Sequence, residues 1–400
     1  MNRRFSIIGA GMGQPESLTG QARTALENAD IALSTERLAQ NLSAIRPVEA
    51  CAMREMAARA ISSNAAHAAI LVSGDTGFFS AARTLCDALA PFGAVEMYCG
   101  QSSMQYLCAR LGTSYDDVYF LSLHGRQGSI LGPVSFHKKV FALTGGAWSA
   151  SGLCAELARA GLGDARAVIG ENLGTGDERI LSGTTAELAQ VSCGSLAVLL
   201  VENEHASEPY QPVFDRDMTR GDVPMTKQEV RWVAASMLSV KPRDIVYDIG
   251  AGTGSVSMEL ARRAPEGMVY AIERKPEGLA LIEQNRVALG CYNVIPVAGL
   301  APDALEALPT PDAVFIGGSG GELPEILSML RARNPHVRVV VSAIAVETLA
   351  LAQQTMKEQG FEDLEIVQLS AARGSKVGGY TLMTANNPVF LLAGGGNDEA

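Results

Sequence analysis

The stretch Val246-Tyr247-Asp248-Ile249-Gly250-Ala251-Gly252-Thr253-Gly254-Ser255 decides the fold of the C-terminal half. An apolar run reads as a buried strand, three glycines read as a turn, and an amphipathic helix follows from about Val256. Glycines let a backbone approach a bound nucleoside closely, and the following helix presents unpaired N–H groups at its start. A dinucleotide-binding loop needs G-x-G-x-x-G, and here the last position of that pattern is Ser255. The loop instead reads G-x-G-x-G behind an acid, which suits S-adenosylmethionine. That molecule has no phosphate but carries a sulfonium and an amino group, and Asp248 is expected near this positive end, directly or through water. The next strand ends at Ile272-Glu273, close to the offset of a ribose-binding carboxylate.

Working outward, short apolar strands alternate with amphipathic helical stretches almost throughout, the pattern of parallel α/β layers. Strands are expected at Phe5–Ile8, Ala69–Val72, Ala94–Tyr98, Val140–Leu143, Ala167–Ile169 and Leu196–Val201. The C-terminal half adds Ile245–Ile249, Met268–Ile272, Ala313–Ile316 and Val337–Ser342. From about Glu202 to Asp222 the chain is polar, holds Pro209 and Pro212 and shows no apolar period. The expected division is therefore a domain over 1–205, a linker over 206–221 and a domain over 222–400. Thr226 and Glu229 have capping-box spacing at the restart of helix.

In the C-terminal half, Gly299 and Ala301 follow a third strand and are expected to border the adenine. Gly317 and Gly318 stand at the carboxyl end of a fourth, where open α/β sheets bind substrate; a packing role for these glycines is the alternative. Asp248, Gly250, Gly252, Thr253, Gly254, Ser255, Glu273 and Thr226 complete the expected cofactor site. The N-terminal half opens with a second strand and glycine loop, Ile7-Ile8-Gly9-Ala10-Gly11-Met12-Gly13, with no acid before it. Later come Ser73-Gly74-Asp75-Thr76-Gly77, Gly100-Gln101-Ser102-Ser103, Leu123-His124-Gly125-Arg126 and Gly170-Glu171-Asn172-Leu173-Gly174. Gly9, Gly11, Gly13, Gly74, Asp75, Thr76, Ser102 and Ser103 are its expected cofactor residues. Asp75 has turn capping as its alternative role. His124 and Arg126 either face substrate carboxylates, which Arg grips with two prongs, or form a satisfied loop pair.

Two resemblances follow from these motifs. Met225-Thr226-Lys227, Asp248 to Val256, Ala271-Ile272-Glu273-Arg274, Phe315-Ile316-Gly317-Gly318 and Asn387-Pro388-Val389-Phe390 resemble the precorrin and cobalt-precorrin C15-methyltransferases (decarboxylating), over about 221–392. The N-terminal motifs resemble the tetrapyrrole methylases, in their C5-methyltransferase branch, over about 5–202. The family's usual G-D-P reads Gly74-Asp75-Thr76 here, and its P-G-x-S-S begins with Cys99. The resemblances imply a tetrapyrrole-methylase fold of two α/β subdomains, joined near Gly112, followed by a Rossmann-like class I methyltransferase domain. They imply one S-adenosylmethionine per domain, methylation of precorrin-6Y/6B at C5 and C15, and decarboxylation of the ring-C acetate to give precorrin-8X in cobalamin biosynthesis. Related methylases assemble, which implies a homo-oligomer. No proton donor for the decarboxylation is assignable from these motifs. A basic rim for the substrate's carboxylates is expected from among Arg126, Lys138, Lys139, Arg373 and Lys376, each of which solvated surface charge also explains. A nicotinamide-dependent dehydrogenase is the alternative function, disfavoured because both glycine loops lack the third glycine.

Bulk properties limit the other classes. The chain has 400 residues, 47% hydrophobic and 19% charged, with a net charge of −11. A nucleic-acid partner would leave a basic footprint. Apolar runs such as Leu196–Val201 are short of the ~20 residues a bilayer needs, and Gly9, Gly11 and Gly13 interrupt any leader-like start. Seven scattered cysteines without a C-x-x-C pair point away from zinc and disulfides. The expectation is a cytoplasmic enzyme without a metal.

Overall fold

The computed structural model describes residues 3–124 and 128–395. Chain contacts divide it into two compact units. One takes in the described residues of Met1–Arg126, Phe141–Ala155 and Arg166–Val201; the other takes in those of Gln127–Val140, Glu156–Ala165 and Glu202–Ala400.

In the first unit, β1 (Arg4–Gly9), β2 (Ile31–Ser34), β3 (Glu49–Ala50), β4 (His67–Val72) and β5 (Ala94–Tyr98) form a sheet in the order β3-β2-β4-β1-β5. All its pairings are parallel. Every residue of β4, His-Ala-Ala-Ile-Leu-Val, is buried, because a parallel central strand is covered by helices on both faces and shows no alternation. A second sheet has β6 (Tyr119–Ser122), β7 (Lys139–Leu143), β8 (Arg166–Glu171), β9 (Arg179–Thr184) and β10 (Ala197–Glu202) in the order β6-β7-β10-β8-β9, with β8 and β9 antiparallel. The helix Ser103–Leu111 ends at Gly112, whose φ of 65° is the left-handed stop that glycine tolerates.

In the second unit, β11 (Ile245–Ile249), β12 (Met268–Glu273), β13 (Val294–Ala298), β14 (Ala313–Ile316), β15 (Arg338–Ala343), β16 (Glu365–Leu369) and β19 (Val389–Gly394) form a seven-stranded sheet. Its order is β13-β12-β11-β14-β15-β19-β16, parallel from β13 to β15 and antiparallel at β19. β17 (Ala372–Val377) and β18 (Tyr380–Ala385) form a separate antiparallel hairpin. Chain order reverses beside β11, since β12 flanks it on one side and β14 on the other. Loops leaving the carboxyl ends of β11 and β14 therefore diverge and open a crevice.

Two local expectations are revised. The polar segment before the second unit's sheet is no loose tether: Val213 and Asp215 are buried, and Val213 N–H donates to Glu259 Oε2 at 3.1 Å. Its contacts are made by single residues, so no periodic pattern reveals them. The helix after it begins at Gln228 with Lys227 at its N-cap, so Thr226 and Glu229 form no capping box. Glu229 is held elsewhere, by Arg373.

Candidate active sites

The crevice in the second unit is built by glycine. Gly250, Gly252 and Gly254 have φ of 75°, 58° and 77°, conformations that cost an L side chain about 1–2 kcal/mol each. At Gly250 space is also short: a Cβ would lie 2.7 Å from both Gly318 N and Gly318 O. Gly317 N–H donates to Ile249 O at 2.9 Å, which ties the two strand ends together. Two adjoining cavities result. The smaller, about 240 Å³, is lined by Gly250, Gly252, Glu273, Gly299, Ala301, Gly317 and Gly318. The larger, about 870 Å³, shares Pro224, Gly250, Gly317 and Gly318 with it and extends past Thr226, Lys227 and Asn387.

Glu273 sits at the end of β12, 7% exposed, with Oε2 accepting from Gly252 N–H at 2.9 Å and Oε1 from Lys275 N–H at 2.8 Å. A carboxylate oxygen accepts more than one hydrogen bond, so both stay competent toward ribose hydroxyls. Asp248 lines neither cavity. It is buried beneath the loop, where Oδ2 accepts from Ser257 Oγ and Oδ1 has no partner. Burial pushes its carboxyl up to about 7 despite the Ser257 hydrogen bonds. Thr253, Gly254 and Ser255 also line neither cavity. Gly254 is the N-cap of the helix Ser255–Arg263, Thr253 Oγ1 is buried without a partner, and Ser255 Oγ donates to Thr226 O at 3.4 Å.

The Asp248 shift has a testable sign. An unfolded Asp titrates near ~3.9, so between about pH 4 and 7 the folded chain holds a proton that the unfolded chain has released. This group therefore subtracts stability as pH rises through that window. Asp248→Asn should flatten the loss of thermal stability between pH 5 and 8, by on the order of 2 kcal/mol; parallel pH profiles of melting for variant and parent would contradict the assignment.

The larger cavity has two charged side chains in its lining, Lys227 and Glu229. Arg373 of the hairpin binds Glu229 with both prongs, at 2.9 and 2.6 Å, and lies 2.8 Å from Asp215 Oδ2. This ion pair holds the Glu229 carboxyl below its ordinary range. Arg373 was a candidate for the substrate rim; its guanidinium is instead engaged within the protein. Arg231, fully buried, donates to Asp215 Oδ1 and to Val213 O, each at 2.6 Å. Lys227 makes no ion pair among the described residues, which leaves it as the uncompensated charge of that cavity. Lys227 stands in the Met225-Thr226-Lys227 motif, but the sequence assigns it no role, because nothing local shows that its charge has no partner.

The first unit contains its own cavity, about 320 Å³, at the carboxyl ends of β1 and β4. Gly11, Gly74, Asp75, Ser102, Ser103 and His124 line it; Gly9, Gly13 and Thr76 do not. Gly11 and Gly74 exchange backbone hydrogen bonds at 3.1 and 2.9 Å, which docks the two loops. Gly9 permits packing, since a Cβ there would lie 2.6 Å from Gly100 N. Asp75 uses Oδ1 for Gly77 N–H and Oδ2 for Gly100 N–H, so it does act as a turn cap while lining the cavity. Ser102 caps the helix Ser103–Leu111 in a capping box with Gln105. His124 Nδ1 lies 3.2 Å from Thr144 O, an acceptor, so Nδ1 carries a proton. Glu171 accepts from Gly194 N–H and pairs with Arg179, holding its own loop. Arg126 lies outside the described residues. Arg37, also in the lining, was missed by the sequence reading because the helix that carries it shows no glycine or motif.

The two adjoining cavities of the second unit and the cavity of the first lie at the carboxyl ends of parallel strands beside glycine loops without a dinucleotide fingerprint, which fits the class of S-adenosylmethionine-dependent methyltransferases. Comparison with known proteins agrees. Residues 4–189 match the tetrapyrrole (corrin/porphyrin) methylases and residues 217–393 match the precorrin methyltransferase domain. The precorrin-6Y C(5,15)-methyltransferase [decarboxylating] of Sinorhizobium sp is 30% identical over 78% of this chain and 76% of its own length. A probable cobalt-precorrin-6B C(15)-methyltransferase (decarboxylating) of Pyrobaculum calidifontis is 41% identical over 42% of this chain and 88% of its own length. A crystal structure of precorrin-6y C5,15-methyltransferase from Geobacter metallireducens is 34% identical, with a TM-score of 0.43 over 46% of this chain and 95% of that one. The chain belongs to the precorrin-6Y C5,15-methyltransferase (decarboxylating) family. It is an enzyme of cobalamin biosynthesis with methyltransferase and decarboxylase activity. No helix among the described residues is long and apolar enough to cross a membrane.

Proposed function

We propose that the first unit methylates C5 of precorrin-6Y/6B and the second methylates C15 and decarboxylates the ring-C acetate, giving precorrin-8X, with one S-adenosylmethionine bound in each. The observation that supports this most is the shared glycine wall of the second unit. Pro224, Gly250, Gly317 and Gly318 border both the small cavity and the large one, so a nucleoside in the small cavity faces an acceptor in the large one. The site residues fit that cofactor: Glu273 stands where a ribose would lie, and a Cβ at Gly250 would fill the approach. When bound, the sulfonium supplies an already activated methyl group for in-line transfer to carbon.

The protein's own task is then alignment and exclusion of water. In the second unit Gly250 and Gly318 bring the two strand ends together, and Glu273 orients the nucleoside. Lys227 is positioned to hold a substrate carboxylate at the mouth of the large cavity. In the first unit Gly11, Gly74, Asp75, Ser102 and Ser103 form the corresponding floor, with His124 on the substrate side; Gly9, Gly13 and Thr76 shape its loops. Asp248, Thr253, Gly254, Ser255, Thr226, Gly252, Gly299 and Ala301 complete the second site, some by support rather than contact. The reading extends to a cytoplasmic enzyme that works as a homo-oligomer. Support for assembly comes from the hairpin, where Val377, Tyr380, Leu382 and Met383 are all exposed.

Lys227→Met tests the carboxylate reading. Charge-assisted hydrogen bonds contribute about 1.5–3 kcal/mol, so KM of the C15 and decarboxylation reactions should rise about 10–100-fold. Affinity for S-adenosylhomocysteine should not change. Steady-state kinetics with an unchanged KM would refute the role.

A further inference from the structure

The cavity of the first unit contains a guanidinium whose charge no carboxylate among the described residues answers. Arg37 projects from the first turn of the helix Glu36–Leu42 and lines the cavity beside Gly11, Ser73 and Gly74. Its Nη1 donates to Met12 O at 3.3 Å and its Nη2 to Ser73 Oγ at 3.2 Å, both neutral acceptors at long range. No carboxylate among the described residues lies within ion-pairing distance of it. Asp75, the acid in the same lining, turns its oxygens to Gly77 and Gly100 N–H and makes no ion pair with Arg37. The arm is seated rather than loose. Gly13 makes room for it, since a Cβ there would lie 2.8 Å from Arg37 Nη1. Burial pulls its pKa below the usual value for Arg, as expected for a cation without a partner.

A half-buried guanidinium held by two weak neutral bonds and facing a cavity has donors to spare, and its planar fork matches a carboxylate. Arg in this setting stays charged, so the cavity selects for an anion at this point. We propose that Arg37 anchors a carboxylate side chain of the tetrapyrrole substrate in the C5-methylating site and so fixes which meso carbon meets the methyl donor. This rests on the reading that the first unit takes the polycarboxylate substrate.

The test uses the full chain with Arg37→Ala and Arg37→Lys. KM for C5 methylation should rise about 10–100-fold in Arg37→Ala. Arg37→Lys should recover part of that, because it keeps the charge but not the fork. A substrate with ester-capped carboxylates should lose affinity for the parent but little more for Arg37→Ala. The affinity of the first unit for S-adenosylhomocysteine should change less than about twofold, and methylation at C15 with CO2 loss should persist as the internal control for folding. An unchanged KM in Arg37→Ala overturns the proposal. So does a loss of S-adenosylhomocysteine affinity matching the loss of activity, because Arg37 would then hold the cofactor's own carboxylate. A parent chain that turns over at C15 but never at C5 overturns the underlying reading of the first unit, and this inference with it.

Discussion

Calorimetric titration of the full chain with S-adenosylhomocysteine should register two sites, and Gly250→Ala should remove one of them. The expected effect is large because two costs fall on the same methyl group. Gly250 has a φ of 75°, where a non-glycine residue is strained by about 1–2 kcal/mol. The added Cβ also meets backbone, 2.7 Å from Gly318 N and O, and backbone cannot rotate aside as a side chain does. The ends of β11 and β14 must separate, and those are the walls the two cavities of the second unit share. Binding there should fall at least about 100-fold, equivalent to ~2.8 kcal/mol or more, with C15 methylation and CO2 loss falling with it. The site in the first unit should titrate as before. Two intact sites in Gly250→Ala would show that the cofactor of the second unit lies elsewhere.

Arg231→Met should be the most destabilising of the substitutions considered. Arg231 is fully buried and bonds Asp215, itself 4% exposed, as well as Val213 O. Removing Arg231 leaves the buried Asp215 with Arg373 as its close cationic partner and takes away the shorter, fully buried bond; breaking a buried pair costs at most about 3–5 kcal/mol. Burial alone would raise the Asp215 carboxyl, but Arg231 and Arg373 together hold it below its ordinary range. A depressed carboxyl adds stability above its unfolded pKa of ~3.9 and loses it as pH falls through the folded value. The parent should therefore lose this contribution only in strong acid. In Arg231→Met that acid sensitivity should shrink, and Asp215→Leu added to it should recover much of the lost stability. Thermal melts at pH 7 and pH 3 check both points; a melting temperature unchanged at pH 7 would contradict the assignment.

The parallel framework was legible because its strands are short apolar runs with turn residues at each end. Ile245–Ile249 and Ala313–Ile316 have the expected bounds, and Phe5–Ile8 and Met268–Ile272 each lengthen by one or two residues. β2, β3, β6, β9 and the C-terminal β16 to β19 were not read. β18 is exposed at every residue and β16 at most, so neither has the buried face that creates a period. The glycine loops were legible because a positive φ and a close backbone approach admit few other residues. What escaped is contact between side chains distant in sequence. The Glu229–Arg373 bond spans 144 residues, and no local spacing encodes it. Arg37 and Lys227 escaped for a related reason: a cation becomes informative only when the fold withholds its partner. Asp248 reads as a ligand residue from its position before the glycines, whereas its carboxyl lies under the loop against Ser257.

The most direct measurement is the mass of the product formed when the pure chain acts on reduced precorrin-6 in the presence of S-adenosylmethionine. A gain of two methyl groups with the loss of one CO2 is expected. A single methyl gained with CO2 lost would contradict the role given to the first unit, and an unchanged mass with cofactor bound would contradict the substrate.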